Sequence, residues 1–433
     1  MPQKSTYEAA LQDVPITRSV LLPQLFLQNT NNGSVFMSKA HHSGSANAKD
    51  TLSSRGYGME LSLTQSIFNF TAIEEFRAAK DTVKAAAETY YAALQTLMLT
   101  VATNYFTVLN NQENLRYAQA NVQANKSSLT QAQQQYRVGT NTLTDVYTAQ
   151  AAYSSAVSNQ VTAKNNLENS IESLRSVTGK LYTEFSPLRD DLPLVSPDPK
   201  NVDEWVKVAL ENNPTIKSAQ YTAMAAMKTV GAQRGGHLPT VDLNASYGQT
   251  YQYDISDDSS STGSGRTTGG SVGVNVSLPI FEGGLVTAQT RQAESNYETA
   301  IHNLELQHRS IETSTRQNYL SVLAAITAVE ADKTSVKSNE SALRGLEAGY
   351  RVGTQTMIDV LNQQSLLLSA EQTYAADRFH YVTSLIHLKN DTGVLSLYDL
   401  EAVNEWLKKP SVDLADNDIQ KVQGLNVLDN RDQ

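Results

Sequence analysis

Tyr136-Arg137-Val138-Gly139-Thr140, followed by Asp145-Val146, and Tyr350-Arg351-Val352-Gly353-Thr354, followed by Asp359-Val360, are one segment met twice, 214 residues apart in a chain of 433. The same spacing links Leu174-Arg175-Ser176-Val177-Thr178-Gly179 to Leu388-Lys389-Asn390-Asp391-Thr392-Gly393. Nearly the same spacing links Gln65-Ser66-Ile67-Phe68 to Leu278-Pro279-Ile280-Phe281. Matches at the start, middle and end of each half mean that one structural unit is duplicated. The repeated segment reverses the chain, because Gly139 and Gly353 can adopt the left-handed conformation that ends a helix. Upstream, residues 71–136 hold no Pro or Gly, and 285–350 hold only Gly345 and Gly349, near the end. Each run is about 65 residues, or about 100 Å of helix. Leu94, Leu97, Val101, Tyr105 and Val108 recur at spacings of three and four, the narrow seam of a coiled coil. Return helices are predicted over 143–178 and 357–392, ending at Gly179 and Gly393.

Working outward, each hairpin is preceded by segments that alternate with period two. Tyr57, Met59, Leu61, Leu63, Gln65 and Ile67 oppose Gly58, Glu60, Ser62, Thr64 and Ser66. Val241, Leu243, Ala245, Tyr247, Tyr251 and Tyr253 oppose Asp242, Asn244, Ser246, Gly248 and Gln252. Val272, Val274, Val276, Leu278 and Ile280 oppose Ser271, Gly273, Asn275 and Ser277, while in 21–28 Phe26 sits on the polar side. An apolar, aromatic face against a small, polar one suits a barrel strand between lipid and water, and equally an ordinary half-buried strand. Polar loops are expected over 29–56 and 254–270.

The chain is 40% hydrophobic but only 18% charged. Its helical runs are crowded with Ala, Gln, Asn, Ser and Thr, which suits long wetted surfaces better than a thick core. A net charge of -10 argues against nucleic acid as a partner. The absence of cysteine removes disulfides and thiol chemistry. No run of eighteen or more apolar residues is present, so no transmembrane helix is expected. Met1-Pro2-Gln3-Lys4 opens no leader. The counterpart of the helix opening near Asp203-Glu204-Trp205 would fall before residue 1, which leads us to expect a first unit shortened at its start, any leader lying upstream. Pro15 stands where the shortened unit should be helical, and argues against a helix there.

The reading divides the chain into a first repeat over 1–202 (strands about 21–28 and 57–68, hairpin about 71–178, irregular segment 181–202). A second repeat covers 203–409 (strands about 241–253 and 271–280, hairpin about 285–392, irregular segment 394–409), and a polar tail follows over 410–433. The fold class is mixed α/β and mainly α. Two strands per repeat make a four-stranded sheet that cannot close on itself, so a membrane sheet would need several copies of the chain. No metal or cofactor is expected. His302/His308 and His380/His387 lack the i, i+4 spacing of a helical zinc pair, and His41-His42 lies in a loop. Asp254, Asp257 and Asp258 lack the closing glutamate of a calcium loop. No nucleophile elbow or acid–base pair is present, so an enzyme is not expected. These features leave a membrane duct beside a periplasmic or surface coiled-coil structural or adaptor protein.

Ala163-Lys164-Asn165-Asn166-Leu167, Gly236-His237-Leu238-Pro239-Thr240, Ser277-Leu278-Pro279-Ile280-Phe281-Glu282-Gly283-Gly284 and Glu347-Ala348-Gly349-Tyr350 add a more specific signal. With them the chain resembles the TolC-type outer-membrane efflux proteins over nearly its whole length. That resemblance implies a homotrimer with a twelve-stranded barrel in the outer membrane, continued by a helical barrel in the periplasm. It implies a mixed equatorial region, here 181–202 and 394–409. It also implies an exit duct of a tripartite efflux pump or type I secretion system, working with a periplasmic adaptor and an inner-membrane transporter.

The resemblance further places a gate at the periplasmic tip. Thr144, Asp145, Tyr350 and Asp359 match its pattern, whereas Gln355 stands where an arginine can link neighbouring hairpins, and Asn362 where a second aspartate can sit. One acidic ring and a weakened latch are therefore expected. Asp359 carboxylates gathered on a three-fold axis would repel, favouring a cation or a raised pKa. An aspartate in a first turn also simply offsets the helix dipole. Arg137, Val138 and Gly139, with Arg351, Val352 and Gly353, form the exposed tips that would meet the adaptor. A cation near a helix C-terminus is favourable in any case.

Overall fold

A computed structural model of the chain describes residues 2–39, 49–140, 142–256 and 264–408. The expected tail over 410–433, His41-His42 and Asp257-Asp258 lie outside them. Two compact units form: residues 1–93 with 214–310, and residues 94–213 with 311–433.

The first unit carries α1 (Pro2–Ala10), α2 (Asp13–Ser19), β1 (Gln24–Lys39), β2 (Lys49–Phe68), α6 (Pro214–Gly235), β3 (Thr240–Ser256) and β4 (Ser264–Ser277), with the first part of α3 (Phe70–Arg137) and of α7 (Leu285–Arg351). The strands form one antiparallel sheet in the order β1-β2-β3-β4. Leu25, Leu63, Ala245 and Val272 lie in one row across it, and Leu27, Leu61 and Tyr247 in the next. Leu25, Leu27, Leu61, Tyr247 and Val272 stand in the open (Leu27 is 67% and Val272 78% exposed), while Leu63 and Ala245 are half-buried. The opposite face carries Ser62, Ser246 and Ser271 in one row, and the last two hydroxyls lie 3.1 Å apart.

Several boundaries differ from the sequence reading. The first strand runs from Gln24 to Lys39 and pairs as far as Lys39↔Lys49, so most of the loop expected over 29–56 is strand. Backbone pairing with the neighbouring strand carries the ladder past the end of the apolar pattern. Likewise β3 reaches Ser256 and β4 begins at Ser264. The last strand stops at Ser277 rather than 280, because Pro279 has no N–H to continue a ladder. A register shift between Ser66 and Phe68 pairs Phe68 with Val241 and breaks the alternation at Ile67. At the start, α1 and α2 are helical despite Pro15. Proline lacks the N–H that would reach the Leu11 carbonyl, so the helix breaks after Ala10 and restarts at Asp13, with Pro15 in its first turn.

Alanine allows the helices of this unit close approach. Ala72, Ala79, Ala85, Ala223, Ala232 and Ala293 are buried. A Cβ at Gly235 would lie 2.7 Å from the Thr71 hydroxyl, which itself donates to the Ala232 carbonyl at 3.0 Å. Ser218 donates to the Ala85 carbonyl at 3.0 Å, and Tyr7 stacks on Tyr90 at 5.9 Å between centroids.

The second unit contains the rest of α3 and α7, with α4 (Leu143–Thr178), α5 (Val202–Asn212), α8 (Met357–Asp391) and α9 (Leu397–Asn404). Its core gathers Phe106, Leu109, Val322, Phe379, Tyr381 and Leu388, with Leu188, Leu395 and Leu407 from the two irregular segments. Those segments join through the bridge Leu188↔Leu407, where Arg189 N donates to Trp406 O at 2.9 Å and Lys408 N to Pro187 O at 2.8 Å. The second segment is not irregular throughout. Asp399 accepts from Ser396 N at 2.8 Å and from its hydroxyl at 2.7 Å, a capping box that starts α9.

A stretch of α3 reaches a mean hydropathy of 1.3 and is long enough to cross a membrane by length and composition. The same helix brings Met98, Leu99, Ala102, Tyr105, Phe106 and Leu109 to the core just described, which gives those side chains a packing role.

Candidate functional site

Both hairpin tips are built from the same local chemistry. At the first, Gly139 takes φ +79, its N–H bonds Tyr136 O at 3.0 Å, and Thr140 N bonds Gln135 O at 2.9 Å. At the second, Gly353 takes φ +77, with Gly353 N to Tyr350 O at 3.1 Å and Thr354 N to Gly349 O at 2.9 Å. These pairs satisfy carbonyls that a helix end leaves unbonded. A residue with a Cβ would be strained at either glycine.

The return helices then start on capping boxes. Thr142 accepts from Asp145 N at 3.2 Å and donates its hydroxyl to Asp145 Oδ2 at 2.6 Å. Thr356 accepts from Asp359 N at 3.3 Å and donates its hydroxyl and N–H to Asp359 Oδ2 at 2.6 and 2.9 Å. Both aspartates, singled out for a gate, therefore have a defined local partner. Thr142 and Thr356 went unnoticed in the sequence, although Thr-x-x-Asp at these positions is the capping-box spacing.

The Thr356 hydroxyl and N–H hold the Asp359 carboxyl below its ordinary value. The bound cation or raised pKa expected from repulsion on an axis concerns three copies together and acts in the opposite direction. Within one chain the hydrogen bonds to the ionised form decide the direction. Because the folded value lies below the unfolded one, the capping contribution of Asp359 is complete above 3.8 and is lost as pH falls through the depressed folded value. Amide protection in 357–362 is thus expected to be constant around neutral pH and to fall only in acid. Thr142→Ala should cost the first return helix about 1 kcal/mol, read as faster amide exchange over 143–148.

The two tips diverge where they meet the rest of the unit. Tyr350 is half-buried beside Leu129, Ala132, Ala149 and Met357, and its hydroxyl donates to Gln135 Oε1 at 2.6 Å. Its counterpart Tyr136 is 46% exposed. The counterpart of Gln135 is Gly349, where a Cβ would lie 2.6 Å from Gln355 Cγ. At this matched position one repeat supplies an acceptor and the other supplies space. The bond joins α7 to α3, and therefore the two hairpins. A second polar link joins the same hairpins: buried Gln364 donates to Asn121 Oδ1 at 3.3 Å, and Asn125 donates to the same oxygen at 2.9 Å.

Of the remaining sequence candidates, Thr144, Gln355 and Asn362 are exposed and Asp145 is half-buried. Arg137 and Arg351 are exposed, and Val138 and Val352 project into solvent at 74% and 75% exposure. Gln135, which sequence reasoning missed, is the partner that the structure brings to Tyr350. Its one signal in the sequence is that the repeats differ there, immediately before a shared tyrosine.

Comparison with known proteins adds independent findings. The family model described as outer membrane efflux protein matches residues 4–180 and 205–394. Outer membrane protein TolC of Escherichia coli is 36% identical over 93% of the chain and 81% of its own length. The alkaline protease secretion protein AprF of Pseudomonas aeruginosa is 25% identical over 92% of the chain and 82% of its own. Among solved structures, the CmeC outer membrane channel of Campylobacter jejuni superposes with a TM-score of 0.74 at 18% identity, covering 93% of this chain and 85% of that one.

Proposed function

The chain belongs to the outer membrane efflux protein family, and from that premise we propose that three copies close their sheets into one barrel whose flow is gated at the hairpin tips. The protein is an outer-membrane exit duct that extends into the periplasm, serving an efflux pump or type I secretion system. The observation that carries the trimer is the sheet. Its apolar side chains are exposed on one face, and β1 and β4 each pair with one neighbour only among the described residues. Unpaired backbone groups on such edges cost several kcal/mol each in hydrocarbon. Three sheets side by side remove every edge and make twelve strands, within the range of bacterial barrels.

The hairpin tips carry the gate. Tyr350–Gln135 and Gln364–Asn121 tie the hairpins of one subunit together. Asp359 gives the entrance one acidic ring, and Asp145 with Thr144 flanks it. Gln355 and Asn362 add no charge, so the closed state rests on neutral hydrogen bonds. Exposed Val138 and Val352, with Arg137, Gly139, Arg351 and Gly353, offer the adaptor an apolar and cationic surface, and the inner-membrane transporter docks beyond it. The duct acts passively and performs no catalysis.

Single-channel conductance of the detergent-purified protein in planar bilayers tests this reading. Small, cation-selective steps are expected, and Asp359→Ala should weaken block by divalent cations. A monomer that stays soluble without detergent and yields no steps would overturn the duct. An unchanged block would remove Asp359 from the entrance.

A further inference from the structure

At the end of the sheet away from the helices, one row breaks the apolar pattern. Tyr57 pairs with Tyr251, and Tyr251 with Arg266. The three side chains lie on the same face as Leu61, Tyr247 and Val272, since their positions differ by even numbers along each strand. The two tyrosine rings stack at 4.9 Å between centroids, and the Arg266 guanidinium sits over the Tyr251 ring at 5.6 Å. With its amide turned so that the oxygen faces Arg266, Gln249 on the same face accepts from the guanidinium. The cation is therefore aimed by two neighbours, and among the described residues no carboxylate forms an ion pair with it.

Position matters as much as composition. On this face β4 carries Val276, Val274 and Val272, then Gly270 and Thr268 before Arg266, with Leu61, Met59 and Tyr247 of the neighbouring strands beside them; from Val276 to Arg266 it spans about ten residues, or about 33 Å of strand. At the usual tilt this is a band about 25 Å tall, the height of the hydrocarbon layer that such barrels cross. Arg266 thus stands at one rim of the band and the tyrosines form a belt beside it, where aromatic rings settle at headgroup level. A guanidinium is always charged and matches phosphate oxygens in a bidentate fork.

We propose that Tyr57, Tyr251 and Arg266 bind the phosphate of an anionic lipid headgroup in the outer leaflet, a reading that rests on the outer-membrane duct described above. The tyrosine rings pack against the upper acyl chains and glycerol region, while Arg266 holds the phosphate. The lipid fixes the height of the sheet at the edge strand β4, where the next subunit would join.

The test uses the full chain, purified and stripped of lipid, with phosphatidic acid or the diacylglycerol of identical chains as probe. Lipid retained per chain is read by native mass spectrometry. Phosphatidic acid should be retained over diacylglycerol, and Arg266→Gln should lower that retention about fivefold, the worth of one arginine near a charged headgroup. Arg266→Lys should recover part of it. Equal retention by Arg266→Gln and the parent overturns the proposal. Displacement of the lipid by an equal concentration of inorganic phosphate also overturns it, in favour of a free-anion site. Bilayer conductance of both proteins is recorded in parallel. Steps from each leave the duct standing whatever the lipid result, while their absence from the parent chain would count against the duct itself.

Discussion

Tyr350→Phe should shift the gate toward its open state by about 100-fold, seen as larger and longer conductance steps. The Tyr350 hydroxyl donates to Gln135 Oε1 at 2.6 Å, and Phe would remove that bond. A neutral bond of this kind contributes about 1 kcal/mol net. Three subunits opening together lose three such bonds, or about 3 kcal/mol, which is about two powers of ten in an equilibrium. Gln135→Ala should act in the same direction, and the double variant should add little, because either change removes the same bond. Gly349→Ala tests the same tip from the other side, since its Cβ would fall 2.6 Å from Gln355 Cγ and displace that side chain. If Tyr350→Phe and Gln135→Ala both leave conductance unchanged, the bond does not hold the gate.

The second large effect lies in the equatorial core. Tyr381 is fully buried, and its hydroxyl accepts from Val195 N at 2.9 Å and donates to Val195 O at 3.1 Å. It therefore packs α8 and pins the segment 181–202 at once. Tyr381→Ala should cost about 3–5 kcal/mol, as for other large aromatic truncations. Tyr381→Phe should cost about 1–2 kcal/mol, because the ring stays while the Val195 backbone loses its partner. The readout is unusually local. The chain has two tryptophans; Trp205 is part of this core and Trp406 packs against it, stacked on Tyr381 at 6.2 Å. Denaturant unfolding followed by tryptophan fluorescence thus reports this unit. A loss below about 1 kcal/mol for Tyr381→Ala would mean that the core collapses onto the cavity and that the segment is held elsewhere.

The hairpins were legible because their signals are local. A break-free run, Gly139 or Gly353 after it, and a shared Arg-Val-Gly-Thr segment describe a helical reversal without reference to anything distant. The strand cores in 57–68 and 241–253 were legible through alternation, which is also local. Strand ends were not, since residues 29–39 are held by pairing with β2 rather than by a pattern of their own. The start of α9 is local as well, since its capping box, Ser396-Leu397-Tyr398-Asp399, is written in the sequence.

The candidate site divides the same way. The identity of the tip, the spacing of Thr142 with Asp145 and of Thr356 with Asp359, and the duplication itself are determined by sequence alone, because helix caps and turns form between residues three or four apart. Which of the two matched tyrosines is tied down was decided by the tertiary structure. Tyr136 and Tyr350 occupy the same place in their repeats, yet only Tyr350 reaches Gln135, more than two hundred positions away in the chain. The same holds for Gln364 with Asn121 and for Arg266 with Tyr251. A side chain meets a distant partner only after packing has set two elements side by side, and no period or motif within one element carries that distance.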